Sequence, residues 1–166
     1  MKVEKSTDDA PLPHIAGKRF AIVVARFYAG LADWLEDGAR RGLQACGVAA
    51  DAIDVVPIPG CFEIPLAAHR LIRQGGYDGL VALGVVVRGD TPHFDYVAGE
   101  CARGLMAVQL QTGVPIGFGV LTTNPLEQAE ERADPARGDK GYEAAVAAAA
   151  VAAIEPRTGP PRVGFR

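Results

Sequence analysis

The sequence predicts an α/β fold: three layers, α/β/α, around a four-stranded parallel sheet with flavodoxin-like winding. Three observations lead there. Four short apolar runs of strand length alternate with stretches whose apolar residues recur at helical spacing. The runs are apolar at successive positions, as in parallel strands covered on both faces. The 166 residues, 49% apolar but only 7% aromatic, suit one ordinary core, so residues 1–166 are expected to form a single domain.

The elements follow in order. Residues 1–17 join a charged start to Pro11 and Pro13, and residues 156–166 hold three prolines and two glycines, so the two ends read as arm and tail. Any additional strand would lie in that arm and pair with a neighbouring subunit. Residues 20–25 (FAIVVA) form the first strand, and residues 31–46 a helix with apolar or small side chains at 31, 34, 35, 38, 39, 42, 43 and 46. Gly47 stops it. Residues 53–58 (IDVVPI) are the second strand; Ile64, Ala67, Ala68, Leu71 and Ile72 mark a second helix closed by Gly75-Gly76. Residues 79–87 (GLVALGVVV) are the most apolar run and must be central, followed by a helix with the stripe Phe94, Val97, Ala98, Cys101, Leu105 and Val108. The fourth strand is expected at 114–120, a short helix at 125–133 and a terminal helix at 141–154.

Composition removes several classes of function. Seventeen basic against 20 acidic residues give a net charge of −3 without a block of like charge, which supplies no attraction for nucleic acid or an anionic membrane. The longest apolar stretch, 144–154, is mostly alanine and far short of a membrane span. Cys46, Cys61 and Cys101 stand singly, with no CxxC pair, which argues against a disulfide framework or zinc site and for a reducing cytoplasm. His14, His69 and His93 have no metal-ligand spacing, and neither a Walker sequence nor a GxGxxG turn follows a strand. No metal is expected. Only Lys2, Lys5, Lys18 and Lys140 occur, none inside an apolar strand, which disfavours a buried Schiff-base lysine.

In an open parallel sheet ligands bind beyond the carboxyl ends of the strands. Those positions carry Arg26-Phe27-Tyr28, then Pro59-Gly60-Cys61-Phe62-Glu63, then Arg88-Gly89-Asp90-Thr91-Pro92-His93, while Gly117-Phe118-Gly119 is expected to end the fourth strand. Rings, a carboxylate and a histidine on one edge suit a flat polar heterocycle. Thr91 is a good N-cap and Pro92 a good first helical residue, so free N–H groups beside His93 would attract phosphate, and the helix dipole would favour a neutral, proton-accepting imidazole. Taken singly, these features have plainer explanations: Thr91-Pro92 merely starts a helix, Glu63 stabilises a helix dipole, Phe62 fills a core, and Arg132 and Lys140 are solvated loop cations. Asp90 would be unfavourable beside a phosphate unless it points away.

The strings ARFYAGL, PIPGCFEIPLAA, DGLVALGVVVRGDTPHFDYVAGE, IGFGVLTTNPLEQAEERA and GDKGYEAA, in this order and spacing, closely resemble the lumazine synthase family. The resemblance covers about residues 19–154. It implies condensation of 5-amino-6-ribitylaminouracil with 3,4-dihydroxy-2-butanone 4-phosphate to 6,7-dimethyl-8-ribityllumazine, phosphate and water, without metal or organic cofactor. Carried to matching positions, it implies that Phe27 stacks on the pyrimidine and that Cys61, Phe62 and Glu63 hold the ribityl chain. Val86 and Val87 would complete that wall. Gly89, Asp90 and Thr91 would bind phosphate, with Arg132 as counter-charge, and His93 would carry protons. Phe118 and Lys140 would arrive from a neighbouring subunit. The family usually has asparagine where Tyr28 stands. The implied assembly is a homo-oligomer, a pentamer or an assembly of pentamers up to a sixty-subunit shell, with riboflavin synthase as a candidate partner. The competing readings are a non-catalytic flavin- or lumazine-binding paralogue or storage shell and, sharing only the fold class, a flavodoxin-like or receiver-type signalling module. The mostly apolar terminal helix reads as partly subunit interface.

Overall fold

A computed structural model describes residues 10–154. Within it β1 (Phe20–Ala25), β2 (Ile53–Ile58), β3 (Gly79–Val87) and β4 (Ile116–Thr123) form one parallel sheet in the order β2-β1-β3-β4. The helices are α1 (Ala29–Ala45), α2 (Ile64–Gln74), α3 (His93–Thr112), α4 (Leu126–Ala133) and α5 (Lys140–Ala152). From β1 the chain steps to β2 on one side and returns past it to β3 on the other. Steps in opposite directions need helices on opposite faces if both crossovers keep the same hand. Accordingly α1, α4 and α5 cover the face carrying Phe20, Ile22, Val24, Val81 and Leu83, and α2 and α3 cover the face carrying Ala21, Val23, Leu80 and Ala82. Strand period 2 sends alternate residues of the apolar runs into two separate cores, which is why the central strands show no polar face.

The first three strands coincide with the apolar runs, but the fourth is displaced. Gly113 closes α3 in the left-handed conformation, Val114 N–H donates to Thr112 Oγ1, and Pro115 has no N–H, so pairing starts only at Ile116. At its other end β4 runs beyond Val120 to Thr123, whose threonines suit a strand and pair with Val86 and Val87. Gly117-Phe118-Gly119 therefore lies inside β4, not at its carboxyl end. Its glycines serve packing: a Cβ on Gly117 would lie 2.1 Å from the Ala144 carbonyl oxygen, and one on Gly119 would meet the Leu83 side chain at 2.5 Å.

The same close approach accounts for much of α5. Gly141, Ala144, Ala145, Ala148 and Ala149 are buried within the chain. Gly38 and Gly42 of α1 face α5, and a Cβ on Gly141 would lie 2.1 Å from Leu35 O. Small residues on both helices bring the backbones together, so alanines that read as surplus apolar surface are largely core. Val151 and Ile154 remain exposed.

At the amino-terminal side Ile15 is already buried in the α1-side core and its N–H donates to Cys46 O, so the arm is docked before residue 17. Residues 10–17 carry no strand. Residues 1–9 of the arm, where an additional strand was also open, and the tail 156–166 lie outside the described residues. No helix among the described residues is long and apolar enough to cross a membrane.

Candidate active site

The carboxyl ends of β1 and β3, the connection after β2 and the first turns of α3 enclose a cavity of about 500 Å³. It lies at the point where the strand order reverses, the usual ligand position in an open α/β sheet. Phe27 and Tyr28 enter from β1, Gly60 to Glu63 from β2, Val85, Val86 and Val87 from β3, and His93, Tyr96 and Val97 from α3. A second cleft of about 480 Å³ between α1 and α4, lined by Trp34, Leu126 and Glu130 among others, holds no histidine.

Each wall has a local cause. Residues 61–63 form a 3₁₀ turn ahead of α2, with Pro65 suited to the first helical turn. The turn sits on β3 because residue 84 is glycine: a Cβ there would lie 2.4 Å from Cys61 Sγ. Cys61 is thereby buried, and desolvation, reinforced by Cys101, pushes its thiol up to about 12, so it lines the cavity as a neutral group. Phe27 is 75% exposed and Phe62 58% exposed, an unfavourable placement for rings unless a ligand or a partner covers them. Tyr28 meets Phe27 edge to face at 5.1 Å and packs against the α1-side core. Glu63 and His93 side chains have no hydrogen bond or ion pair among the described residues.

The helix behind His93 begins one residue later than expected. Pro92 occupies the cap position and His93 is the first helical residue, while Thr91 Oγ1 accepts a long 3.4 Å bond from His93 N–H. Gly89, Asp90 and Thr91 join two cavity residues, Val87 and His93, and all three are exposed.

Three expected residues lie elsewhere in this chain. Phe118, half-exposed in mid-β4, is separated from the cavity by β3, with which β4 pairs. Lys140 opens α5 and pairs with Glu143. Asp139 just before it holds a left-handed φ of 45°, and both its carboxylate oxygens accept from Arg41 at 2.9 Å. Arg132 is exposed on α4 and donates to Gln128 O of its own helix at 3.1 Å. Conversely, the cavity includes Tyr96, which was not among the expected site residues. Its signal was available: position i+3 from His93 lies on the same helix face. No group of three or more His, Cys, Asp or Glu side chains placed to hold a metal occurs among the described residues.

The model of the family described as 6,7-dimethyl-8-ribityllumazine synthase matches residues 17–155. The chain belongs to the 6,7-dimethyl-8-ribityllumazine synthase family. Proteins of that name from Xanthomonas euvesicatoria pv. vesicatoria (strain 85-10) and Xanthomonas axonopodis pv. citri (strain 306) are each 51% identical to it over 130 residues, covering 78% of this chain and 84% of theirs. One from Desulfatibacillum aliphaticivorans is 48% identical over 132 residues, covering 80% of this chain and 85% of its own. The matched region of the lumazine synthase family takes in every element of the sheet and all cavity residues.

Proposed function

We infer that this chain catalyses the penultimate step of riboflavin biosynthesis, joining 5-amino-6-ribitylaminouracil to 3,4-dihydroxy-2-butanone 4-phosphate to form 6,7-dimethyl-8-ribityllumazine, phosphate and water. The observation that carries it is the cavity at the strand-order reversal, where exposed rings converge with a carboxylate and an imidazole that have no partner among the described residues, in a member of the lumazine synthase family. The substrate amine attacks the butanone carbonyl, and loss of water leaves an imine. Phosphate is eliminated, and ring closure with loss of a second water completes the bicyclic product. Every step moves a proton between nitrogen, carbon and oxygen, work that suits His93 and accounts for about 10²- to 10⁴-fold. Holding the two reactants together supplies much of the rest.

In this reading Phe27 stacks on the pyrimidine, Cys61 and Phe62 flank the ribityl chain, Glu63 accepts its hydroxyl hydrogen bonds, and Val86 and Val87 form the floor. Gly89, Asp90 and Thr91 present backbone N–H groups and the threonine hydroxyl to the phosphate at the start of α3, with Arg132 as counter-charge. Phe118 and Lys140 act on the cavity of a neighbouring copy. That assignment is supported by their distance from the cavity of their own chain and by the exposure of Phe27 and Phe62. The functional unit is then a homo-oligomer of single-domain chains working in the cytoplasm, where three buried free thiols persist.

Mixing the purified protein with both substrates and following product fluorescence tests the activity; no acceleration over the spontaneous reaction overturns it. Light scattering separates a pentamer of 17.4 kDa chains, about 87 kDa, from a sixty-subunit particle of about a megadalton. A fully active monomer would remove Phe118 and Lys140 from the site.

A further inference from the structure

Arg88 stands immediately after β3 and directs all of its guanidinium nitrogens to two neighbours. Nη2 and Nη1 donate to the two carboxylate oxygens of Asp95 at 3.0 and 3.4 Å, and Nε donates to Asn124 Oδ1 at 3.3 Å. The guanidinium plane carbon lies 4.3 Å from the centroid of the Phe94 ring. Phe94 and Asp95 are the two residues that follow His93, so one fork fixes the turn that carries the imidazole. Its other end holds the β4–α4 connection, where Asn124 N–H donates to Gln128 Oε1 at 3.3 Å and Arg132 in turn donates to Gln128 O. Arg88 N–H also donates to Thr123 O at 2.9 Å.

We propose that Arg88 is a positioning residue that sets the base-bearing turn of α3 against the helix carrying Arg132, and so aligns the imidazole with the phosphate-bearing substrate. The proposal rests on the reading of His93 as proton carrier and Arg132 as phosphate counter-charge. It follows from what the imidazole lacks: no side chain among the described residues hydrogen-bonds to it, so its place is dictated by its backbone. Beside the apolar packing of Phe94 and Val97, the side-chain hydrogen bonds and ring contact on the two residues after it, Asp95 and Phe94, come from Arg88. Stability is not the main role. Arg88 and Asp95 are about half exposed, where an ion pair adds little. Three of the five N–H groups of Arg88 are committed to Asp95 and Asn124, so the guanidinium is held against the α3 turn and the β4–α4 connection. What the fork contributes is geometry, and misplacing a catalytic group by about 1 Å can cost about 10²-fold in rate.

The test is steady-state kinetics on the intact assembled protein with Arg88→Ala, Arg88→Lys, Asp95→Asn, Arg88→Ala/Asp95→Asn and His93→Ala. Arg88→Ala is expected to lower kcat about 10- to 100-fold while KM for each substrate stays within about threefold. Arg88→Lys, which keeps the charge but cannot hold Asp95 and Asn124 together, is expected to recover only part of kcat, and it carries the test if the alanine variant does not assemble. Asp95→Asn is expected to add little to the loss in the double variant, as partners in one clamp should. A KM increase confined to the phosphate-bearing substrate with kcat intact would make Arg88 a direct ligand and overturn the proposal, as would wild-type kcat in Arg88→Ala or full recovery by lysine. If His93→Ala itself retains kcat, the proton-carrier reading fails; if His93→Ala is inactive and Arg88→Ala is not, only the clamp fails.

Discussion

At the amino ends of the strands, polar side chains satisfy one another. Tyr77 donates to Asp54 Oδ2 at 2.6 Å, Arg19 donates to the same oxygen at 2.6 Å and lies over the Tyr77 ring, and Arg19 N–H donates to Asp78. At the carboxyl ends the cavity lining differs, although Arg88 behind it is paired: Glu63 and His93 face the cavity with no partner among the described residues, and two phenylalanines stand in the open. Both ends belong to the same sheet and follow the same strands. The contrast shows that one sheet carries a closed polar network at one end and, at the other, a carboxylate and an imidazole left open to the crevice that the topology creates.

The comparison can be broken by substitutions at both ends. The largest effect is expected from His93→Ala: kcat falls about 10²- to 10⁴-fold while binding of the ribityl substrate, measured by equilibrium titration, is nearly unchanged. Loss of both substrates' affinity in equal measure would show that His93 is a structural residue. Next, Arg132→Ala should raise KM for the phosphate-bearing substrate about 10-fold or more and leave the other KM alone. An unchanged phosphate KM would detach α4 from the site.

Gly84→Ala sharpens the comparison by testing how the crevice is built. A new Cβ 2.4 Å from buried Cys61 Sγ should cost about 1–3 kcal/mol in urea unfolding, and a Gly84→Ala/Cys61→Ala pair should regain part of it. Additive losses in the pair would place the strain elsewhere. The smallest effect belongs to the amino end. Hydrogen bonding from Tyr77 and then Arg19 holds the Asp54 carboxyl below its usual 3.8, so this carboxylate stabilises the fold above that pH, and its contribution disappears as pH falls through the lowered value. Tyr77, held above 10.0 by Asp54, contributes below pH 10 and stops contributing as pH rises through its own raised value. Tyr77→Phe should therefore lower the thermal midpoint slightly at neutral pH and flatten the decline at both extremes, with activity intact. A drop in kcat would mean that the two ends are not independent.

Much of this was legible in the residues themselves. Three strands were readable to the residue, because each is an apolar run bounded by a glycine, a charge or a turn, and the order of runs and helical stripes fixed an α/β arrangement. The carboxyl-end residues Phe27, Phe62, Glu63 and His93 could be named for the same reason: the end of a run is a local property, and the fold class says which end matters. What depended on segments far apart in the chain could not be read this way. Gly117 and Gly119 look like a turn and are a seat for α5; Ala144, Ala145, Ala148 and Ala149 look like spare apolar surface and are mostly core against α1 and β4. Phe118 looks like a strand end and is a half-exposed mid-strand ring. Arg88 looks like one more loop cation and is the side chain that ties the His93 turn to the connection leading to Arg132. Sequence by itself determined the elements, their class and the end of the sheet that carries the cavity, since period and punctuation are local. Only tertiary structure decided which small residues are packing surfaces and which polar residues meet, since those depend on distances between atoms that the chain order does not contain.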